Sequence, residues 1–174
     1  QPAWLVVCFT RYSQCMQKIL EAIVSDADSE TFANLTIPAT YRAAHILRSE
    51  ETMFAGLAAK DKDPRQSIHV GDVPTPEIAP DECLIAVMAS SINFNTVWSS
   101  IFEPVSTFGV LARLGRESQW AKRHDLDYQV IGSDASGVVL RIGTAVRNWK
   151  PGDKVTVHCN HLDDQDPSAH DDSM

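Results

Sequence analysis

Apolar residues recur at two different spacings along this chain, and each change of spacing marks a change of element. Over Met16–Val24, Ile19, Leu20, Ile23 and Val24 fall three or four apart, which gathers them on one helical face. The small and acidic run Ser25–Glu30 ends that pattern, and Tyr41–Leu47 reads as a strand. Ser49 followed by Glu50 and Glu51 has the acidic first turn of a helix, with Met53, Phe54 and Leu57 as its apolar face. Lys60-Asp-Lys-Asp-Pro64 is expected to be a solvated charged turn. Ser67–Val73 predicts a second strand, closed by Pro74 and Pro76. Pro80-Asp-Glu82 turns into Cys83–Ile92, the longest strand expected. Asn93–Ile101 predicts a short helix with Val97, Trp98 and Ile101 facing inward. Between Phe102 and Leu126 the periodicity fades, leaving a helix over Val110–Arg113. An irregular stretch of that length is usually a functional loop or cover.

The densest pattern lies at 128–157. Gly132 and Gly137 interrupt the β-branched run Val130, Ile131, Val138 and Val139, as at a bulge or a close approach of two backbones. Lys150-Pro151-Gly152-Asp153 places Pro and Gly at the central positions of a type II turn, where φ must be negative and then positive. A strand over Lys154–His158 follows at once. The order is strand, glycine, strand, turn, strand, which suits a tightly bent sheet.

Composition narrows the class. The 174 residues are 44% hydrophobic and 22% charged, enough apolar surface for a core and too much for disorder throughout. A net charge of −8 with no Lys/Arg cluster argues against a nucleic-acid footprint. Cys8, Cys15, Cys83 and Cys159 are scattered without CxxC spacing, which fits reduced thiols and a cytoplasmic location better than a disulfide framework. The opening Pro2–Phe9 is too short to span a membrane and lacks a basic leader, so no membrane role is expected. Residues 1–15 read as an extension outside the domain, with Met16 a plausible natural start.

Candidate chemistry concentrates at Ala89-Ser-Ser-Ile-Asn93-Phe94-Asn95-Thr96-Val97-Trp98. There a strand becomes a helix, and two amides and a hydroxyl can converge on a ligand. The alternative for Asn93 or Asn95 is a plain helix cap. His158-Cys-Asn-His161 with the following aspartates and His170 has metal-ligand types but reads as an exposed acidic loop. Neither GxGxxG nor GxxxxGK occurs, so no phosphate cradle for a dinucleotide or a nucleoside triphosphate is present in these residues.

The block at 128–157 resembles the GroES-like catalytic domain of the medium-chain dehydrogenase/reductase superfamily. That likeness implies a mainly β fold with short helices (α+β), a partial GroES-like barrel without the Rossmann domain. Ile92–Pro104, Ala121-Lys-Arg-His-Asp-Leu126 and Gly132–Cys159 are similar to the crotonyl-CoA carboxylase/reductase branch of that superfamily. Fainter likeness runs back through Lys60–Arg65 and Met53–Leu57 to Met16–Leu20. The resemblance implies a 16–40 helical segment and a 41–174 GroES-like domain incomplete at its C-terminal end. It also implies NADPH delivering hydride to the β-carbon of an enoyl-CoA, with carbon dioxide trapping the enolate, in an enzyme that is a homo-oligomer when complete.

By the same resemblance Asn95 falls where the family holds carbon dioxide, together with a Phe, a Glu and a His that lie beyond these residues. Asn93, Phe94 and Thr96 fall in the substrate and cofactor pocket, with Phe94 where relatives often have Tyr. Zinc-binding relatives carry a Cys near the junction and a Gly-His-Glu ahead of the glycine block. Here Asn93–Thr96 and Gly132-Ser-Asp134 stand in those places, so a zinc-independent centre with no metal is expected. Two other functions remain open: a zinc-independent NADPH enoyl or quinone reductase that does not carboxylate, and a non-catalytic module serving in protein association.

Overall fold

The structure is a computed structural model that describes residues 14–117 and 122–157. In chain order the elements are α1 (Gln14–Val24), α2 (Ser29–Asn34), β1 (Thr40–Leu47), β2 (His69–Pro74), β3 (Cys83–Ala89), α3 (Phe94–Ser100), α4 (Thr107–Glu117), β4 (Tyr128–Val130), β5 (Ala135–Ile142) and β6 (Lys154–Val157). Three single turns of 3₁₀ helix, Arg48–Glu50, Ala59–Asp61 and Pro64–Gln66, lie between β1 and β2. The strands form two three-stranded sheets, ordered β2-β1-β4 and β3-β5-β6. β1 and β4 pair antiparallel, with His45 opposite Val130 and Leu47 opposite Tyr128. None of the described helices is long and apolar enough to cross a membrane.

The chain divides into two compact units. Among the described residues, the first comprises 14–41, Pro74–Ala86 and Val138–Val155. Its core gathers Ile19 and Ala22 of α1, Phe32 of α2, and Val138 and Leu140 of β5. Val138 and Leu140 are two apart on the strand and so share the face that meets the helices. Met16 and Ile23 complete the apolar stripe of α1, whereas Leu20 and Val24, expected inward, are exposed. The buried stripe therefore runs through 16, 19, 22 and 23, one face at helical spacing, and the two outliers sit at its edge.

Local chemistry explains how these pieces end. Asp26, at φ 54°, closes α1: its N–H reaches the Ile23 carbonyl and the Ala27 N–H reaches the Ala22 carbonyl, the double bond of a left-handed helix stop. Asp28 then caps α2 by accepting from the Thr31 N–H at 2.8 Å, which holds its carboxyl below the usual carboxylate range. Sequence periodicity missed α2 altogether, because six residues are too few to show a period. Arg141 of β5 donates to the carbonyls of Phe32 and Leu35, satisfying the end of that short helix.

The turn at Lys150–Asp153 is as expected. Gly152 has φ 92°, and the Asp153 N–H bonds the Lys150 carbonyl at 3.2 Å. Gly143 answers a different demand. A Cβ there would lie 2.2 Å from the Pro80 carbonyl oxygen and 2.3 Å from that of Ala79, so the two backbones can approach only at a glycine. Gly137 lies buried inside β5 rather than at a break in it.

Among the described residues, the second unit comprises Arg42–Val73, 87–117, 122–137 and 156–157. Ile46, Phe54, Ile101, Phe102 and Phe108 form its core, with Ile131 packed against them. Phe102 lies between Phe54 and Phe108, each ring centroid 6.4 Å away. Several expectations change here. The helix expected from Ser49 is a single 3₁₀ turn followed by turns, and of its apolar set Phe54 alone is buried. β3 stops at Ala89, so the longest strands are β1 and β5 at eight residues each. α4 runs over Thr107–Glu117, well beyond the Val110–Arg113 expected, and inserts Phe108 into the core. The former loop is thus partly a packed helix. Residues 1–13 and 158–174, including Cys8, Cys159 and the acidic His-containing segment, lie outside the described residues, whereas Gln14 and Cys15 open α1.

Candidate functional site

The turn from β3 into α3 and the segment from β4 to β5 form one polar cluster within the second unit. Asn93 is the N-cap of α3. Its Oδ1 accepts from the Thr96 N–H at 3.2 Å, while the Thr96 hydroxyl accepts from the Asn93 N–H at 3.5 Å, a reciprocal capping box. The remaining end of the Asn93 amide is also used: Nδ2 donates to Ser133 Oγ at 2.8 Å and to Asp134 Oδ1 at 3.5 Å. Ser91 donates its hydroxyl to the other carboxylate oxygen of Asp134. Ser90 donates to the Asp134 backbone carbonyl at 2.8 Å. Gly132, at φ 122°, makes the bend that brings Ser133 and Asp134 to the cap.

This separates the two amides left open by the sequence. Asn93 is committed to holding the turn. Asn95, the second residue of the helix, is exposed and has no hydrogen-bond partner among the described residues. Thr96 shares the cap with Asn93, so its hydroxyl faces the turn. Phe94 is exposed and stacks obliquely on Trp98, with centroids 6.0 Å apart. Val97 and Trp98, expected inward, are exposed at 38% and 47%, and the inward face of α3 is carried by Ser100 and the following Ile101. Ser100 rather than an apolar residue is fully buried because its hydroxyl donates to the Thr96 carbonyl at 2.7 Å and its own carbonyl accepts from Ser67.

Beyond Trp98 lies an open groove of about 440 Å³, lined by Ala59, Trp98, Ile101, Glu103 and Pro104. The Glu103 carboxylate beside it is paired with Lys62, whose side chain is only 6% exposed. The charged run expected to be solvated therefore sends one of its lysines inward. Sequence reasoning named Ser90, Ser91, Ser133 and Asp134 within its motifs but not their bonds to one another and to Asn93. Only the pairing of two segments more than forty residues apart reveals them.

The chemistry available at this junction is that of amides, hydroxyls and one hydrogen-bonded carboxylate. Among the described residues no group of three or more His, Cys, Asp or Glu side chains is arranged to hold a metal ion. Burial pushes the Cys83 thiol on β3 up, so it stays protonated near neutral pH and is a poor nucleophile.

Known proteins resemble most of this chain. Over 160 residues, 91% of this chain, it is 56% identical to the crotonyl-CoA reductase of Streptomyces avermitilis, covering 36% of that protein. It is 38% identical over 116 residues to the crotonyl-CoA carboxylase/reductase of Cereibacter sphaeroides, covering 66% of this chain and 24% of that protein. Among solved structures, the 2-octenoyl-CoA carboxylase reductase of a Streptomyces species superposes with a TM-score of 0.79 at 51% identity, over 86% of this chain and 35% of that one. The same enzyme is known in complex with NADP and 2-octenoyl-CoA. The chain thus spans about a quarter to a third of the length of these relatives. The alcohol dehydrogenase GroES-like domain family matches residues 79–172, more than half of the chain and the whole stretch from the turn before β3 through the polar cluster to β6, and the chain belongs to that family.

Proposed function

We propose that this chain is the GroES-like part of an NADPH-dependent enoyl-CoA carboxylase/reductase, and that Asn95 orients carbon dioxide in the reaction. One observation carries the reading for Asn95: of the two amides at the junction, Asn93 is wholly consumed by the cap and by Ser133, whereas Asn95 is exposed and unpaired among the described residues. Carbon dioxide is neutral with partial negative charge on its oxygens. An amide N–H₂ can hold it in place without a cation and without attracting a proton donor. NADPH, when bound, supplies the hydride to the β-carbon of the enoyl thioester. These residues offer it no phosphate cradle, so its phosphates fall to other parts of the enzyme. The electron pair left at the α-carbon then has two fates: attack on carbon dioxide gives an alkylmalonyl-CoA, and capture of a proton from water gives the saturated acyl-CoA. Asn95 favours the first by placing the gas, and Phe94 beside it in the chain carries no hydroxyl that could supply the competing proton. Asn93 and Thr96 act through the turn, fixing where Asn95 points.

A zinc-free centre is part of the same proposal, supported by a donor set at the junction without thiolate or imidazole. So are assembly as a homo-oligomer and a place in the cytoplasm, where the scattered cysteines remain thiols. The test is Asn95→Leu in the enzyme that contains this segment, with carboxylated and merely reduced product measured at fixed bicarbonate. Loss of the amide's hydrogen bond, worth roughly 1–2 kcal/mol, shifts the product ratio toward reduction about tenfold while NADPH consumption persists. An unchanged ratio removes carbon dioxide from Asn95.

A further inference from the structure

α3 is seven residues long, fewer than two full turns, and too short to hold its place by its own hydrogen bonds. Its start is held by the Asn93 cap and Ser133, and its end is held separately. Three of its last four carbonyls are met by the chain turning back on itself. Val97 accepts from the Ile101 N–H at 3.1 Å, Trp98 from the Glu103 N–H at 3.1 Å, and Ser99 from the Phe102 N–H at 3.2 Å. The fourth, that of the fully buried Ser100, accepts from the hydroxyl of Ser67. Ser67 is itself fully buried, in the turn that leads from Pro64–Gln66 towards β2. Its hydroxyl also lies 3.1 Å from the Pro64 carbonyl, but that oxygen already accepts the N–H groups of Ser67 and Ile68 at 3.2 and 3.1 Å. A carbonyl has two lone pairs, so the Pro64 oxygen is satisfied by its own turn and the Ser67 proton is decisive at Ser100.

From Ser100 the bonding continues along the helix to its start. The Ser100 hydroxyl donates to the Thr96 carbonyl at 2.7 Å, and Thr96 closes the capping box with Asn93. Phe102, at φ 58°, takes the left-handed position after α3 that glycine usually occupies, and its ring lies between Phe54 and Phe108. The end of α3 is thus seated on the aromatic core, with Ser67 as a side-chain tether. Asn95 projects from the other end of the same short rod, so a tilt or roll permitted at Ser100 moves its amide. We infer that Ser67 is a positioning residue for carboxylation: by holding the last carbonyl of α3 it sets where the Asn95 amide stands relative to carbon dioxide. The inference rests on the role proposed above for Asn95 and adds the residue that governs its placement from the far end of the helix. Small displacements of an orienting group cost reactivity steeply, so loss of a tether is felt at a site it does not touch. Hydride delivery precedes the capture of the gas and does not depend on where this amide stands.

The test uses the enzyme that contains this segment, with Ser67→Ala as the variant and Val73→Ala as its control. Val73 is buried on β2 but lies outside the core cluster that seats α3, so its truncation loosens the same unit without releasing the helix. In Ser67→Ala, backbone hydrogen exchange over 94–101 should quicken roughly tenfold beyond that in Val73→Ala. The ratio of carboxylated to reduced product at fixed bicarbonate should fall about threefold or more while NADPH consumption persists. Ser67→Ala added to Asn95→Leu should lower the ratio no further than Asn95→Leu alone, because the tether acts through the amide. Ser67→Cys, whose thiol fills the site but donates weakly, carries the same test if the alanine variant does not fold. Unchanged exchange over 94–101, a product ratio equal to that of Val73→Ala, or a further fall in the double variant would overturn the positioning role and leave Asn95 its own. Failure of the carbon dioxide reading gives a different result. Asn95→Leu itself then leaves the ratio unchanged, which withdraws the positioning role with it, and faster exchange in Ser67→Ala records only a tether.

Discussion

Asn93 and Asn95 are the same amide two residues apart, and the helix gives them opposite duties. At the N-cap the backbone is extended and the side chain folds back on the free N–H groups of the first turn. Two residues further in, the backbone is helical and the side chain is left to solvent or ligand. Asn93→Ala should therefore lower stability by about 1–2 kcal/mol, since it loses both the cap and the bond to Ser133. Asn95→Ala should stay within about 0.5 kcal/mol of the parent. Urea unfolding of both variants checks this, and comparable losses would show that Asn95 also supports the fold. Lys62 shows the same dependence on position. With its side chain buried and Glu103 half in solvent, the pair is asymmetric. Glu103→Gln strands an ammonium away from water and should cost about 1–3 kcal/mol, whereas Lys62→Met leaves a carboxylate that water can reach and should cost less. The reverse order in urea midpoints would contradict the buried placement of Lys62.

At the scale of elements, short pieces depend on their ends. α2 has six residues, too few to persist on propensity, and is held by Asp28 at its start, Arg141 at its end and Phe32 in the core. The Thr31 N–H holds the Asp28 carboxyl below its ordinary range, and Lys150 does the same for Asp153. A carboxyl depressed in the folded state stabilises that state above its unfolded pKa of about 3.9, and the contribution is lost as pH falls through the lower folded value. Asp28→Asn keeps an acceptor at the cap but cannot be protonated there. It should match the parent at pH 7 and lose less stability below about pH 4, in parallel acid melts. These ends also decide what was legible beforehand. Lys150–Asp153 could be read because Pro and Gly restrict φ whatever surrounds them. β1 and β5 could be read from their β-branched and apolar runs. α2 could not, being shorter than two periods, and the extent of α4 could not, because only Phe108 of its apolar residues is fully buried. At the site, the junction and its amides were visible as a strand-to-helix change. Which amide was free depended on Ser133 and Asp134, forty residues on, and no local pattern encodes that pairing.

The whole chain matches relatives about three times its length, and the division of chemistry follows from what its own residues can hold. The junction offers a placed amide, hydroxyls that fix the turn, and aromatic faces. On the function proposed above, the placed amide is the group that orients carbon dioxide. Hydride transfer asks for something else, a nicotinamide fixed within reach of the β-carbon by groups that grip its phosphates, and the sequence contains no GxGxxG motif to grip them. The chain's own residues should therefore not suffice for turnover. The 174-residue chain with NADPH and crotonyl-CoA should consume no NADPH above a protein-free control. An enzyme that joins these residues to a dinucleotide-binding domain should, on the proposed function, consume it, and bicarbonate should divert its product to the carboxylated form. NADPH oxidation by the 174-residue chain, followed at 340 nm as a routine absorbance assay and confirmed by the appearance of butyryl-CoA, would place a complete hydride-transfer site within these residues and refute the division.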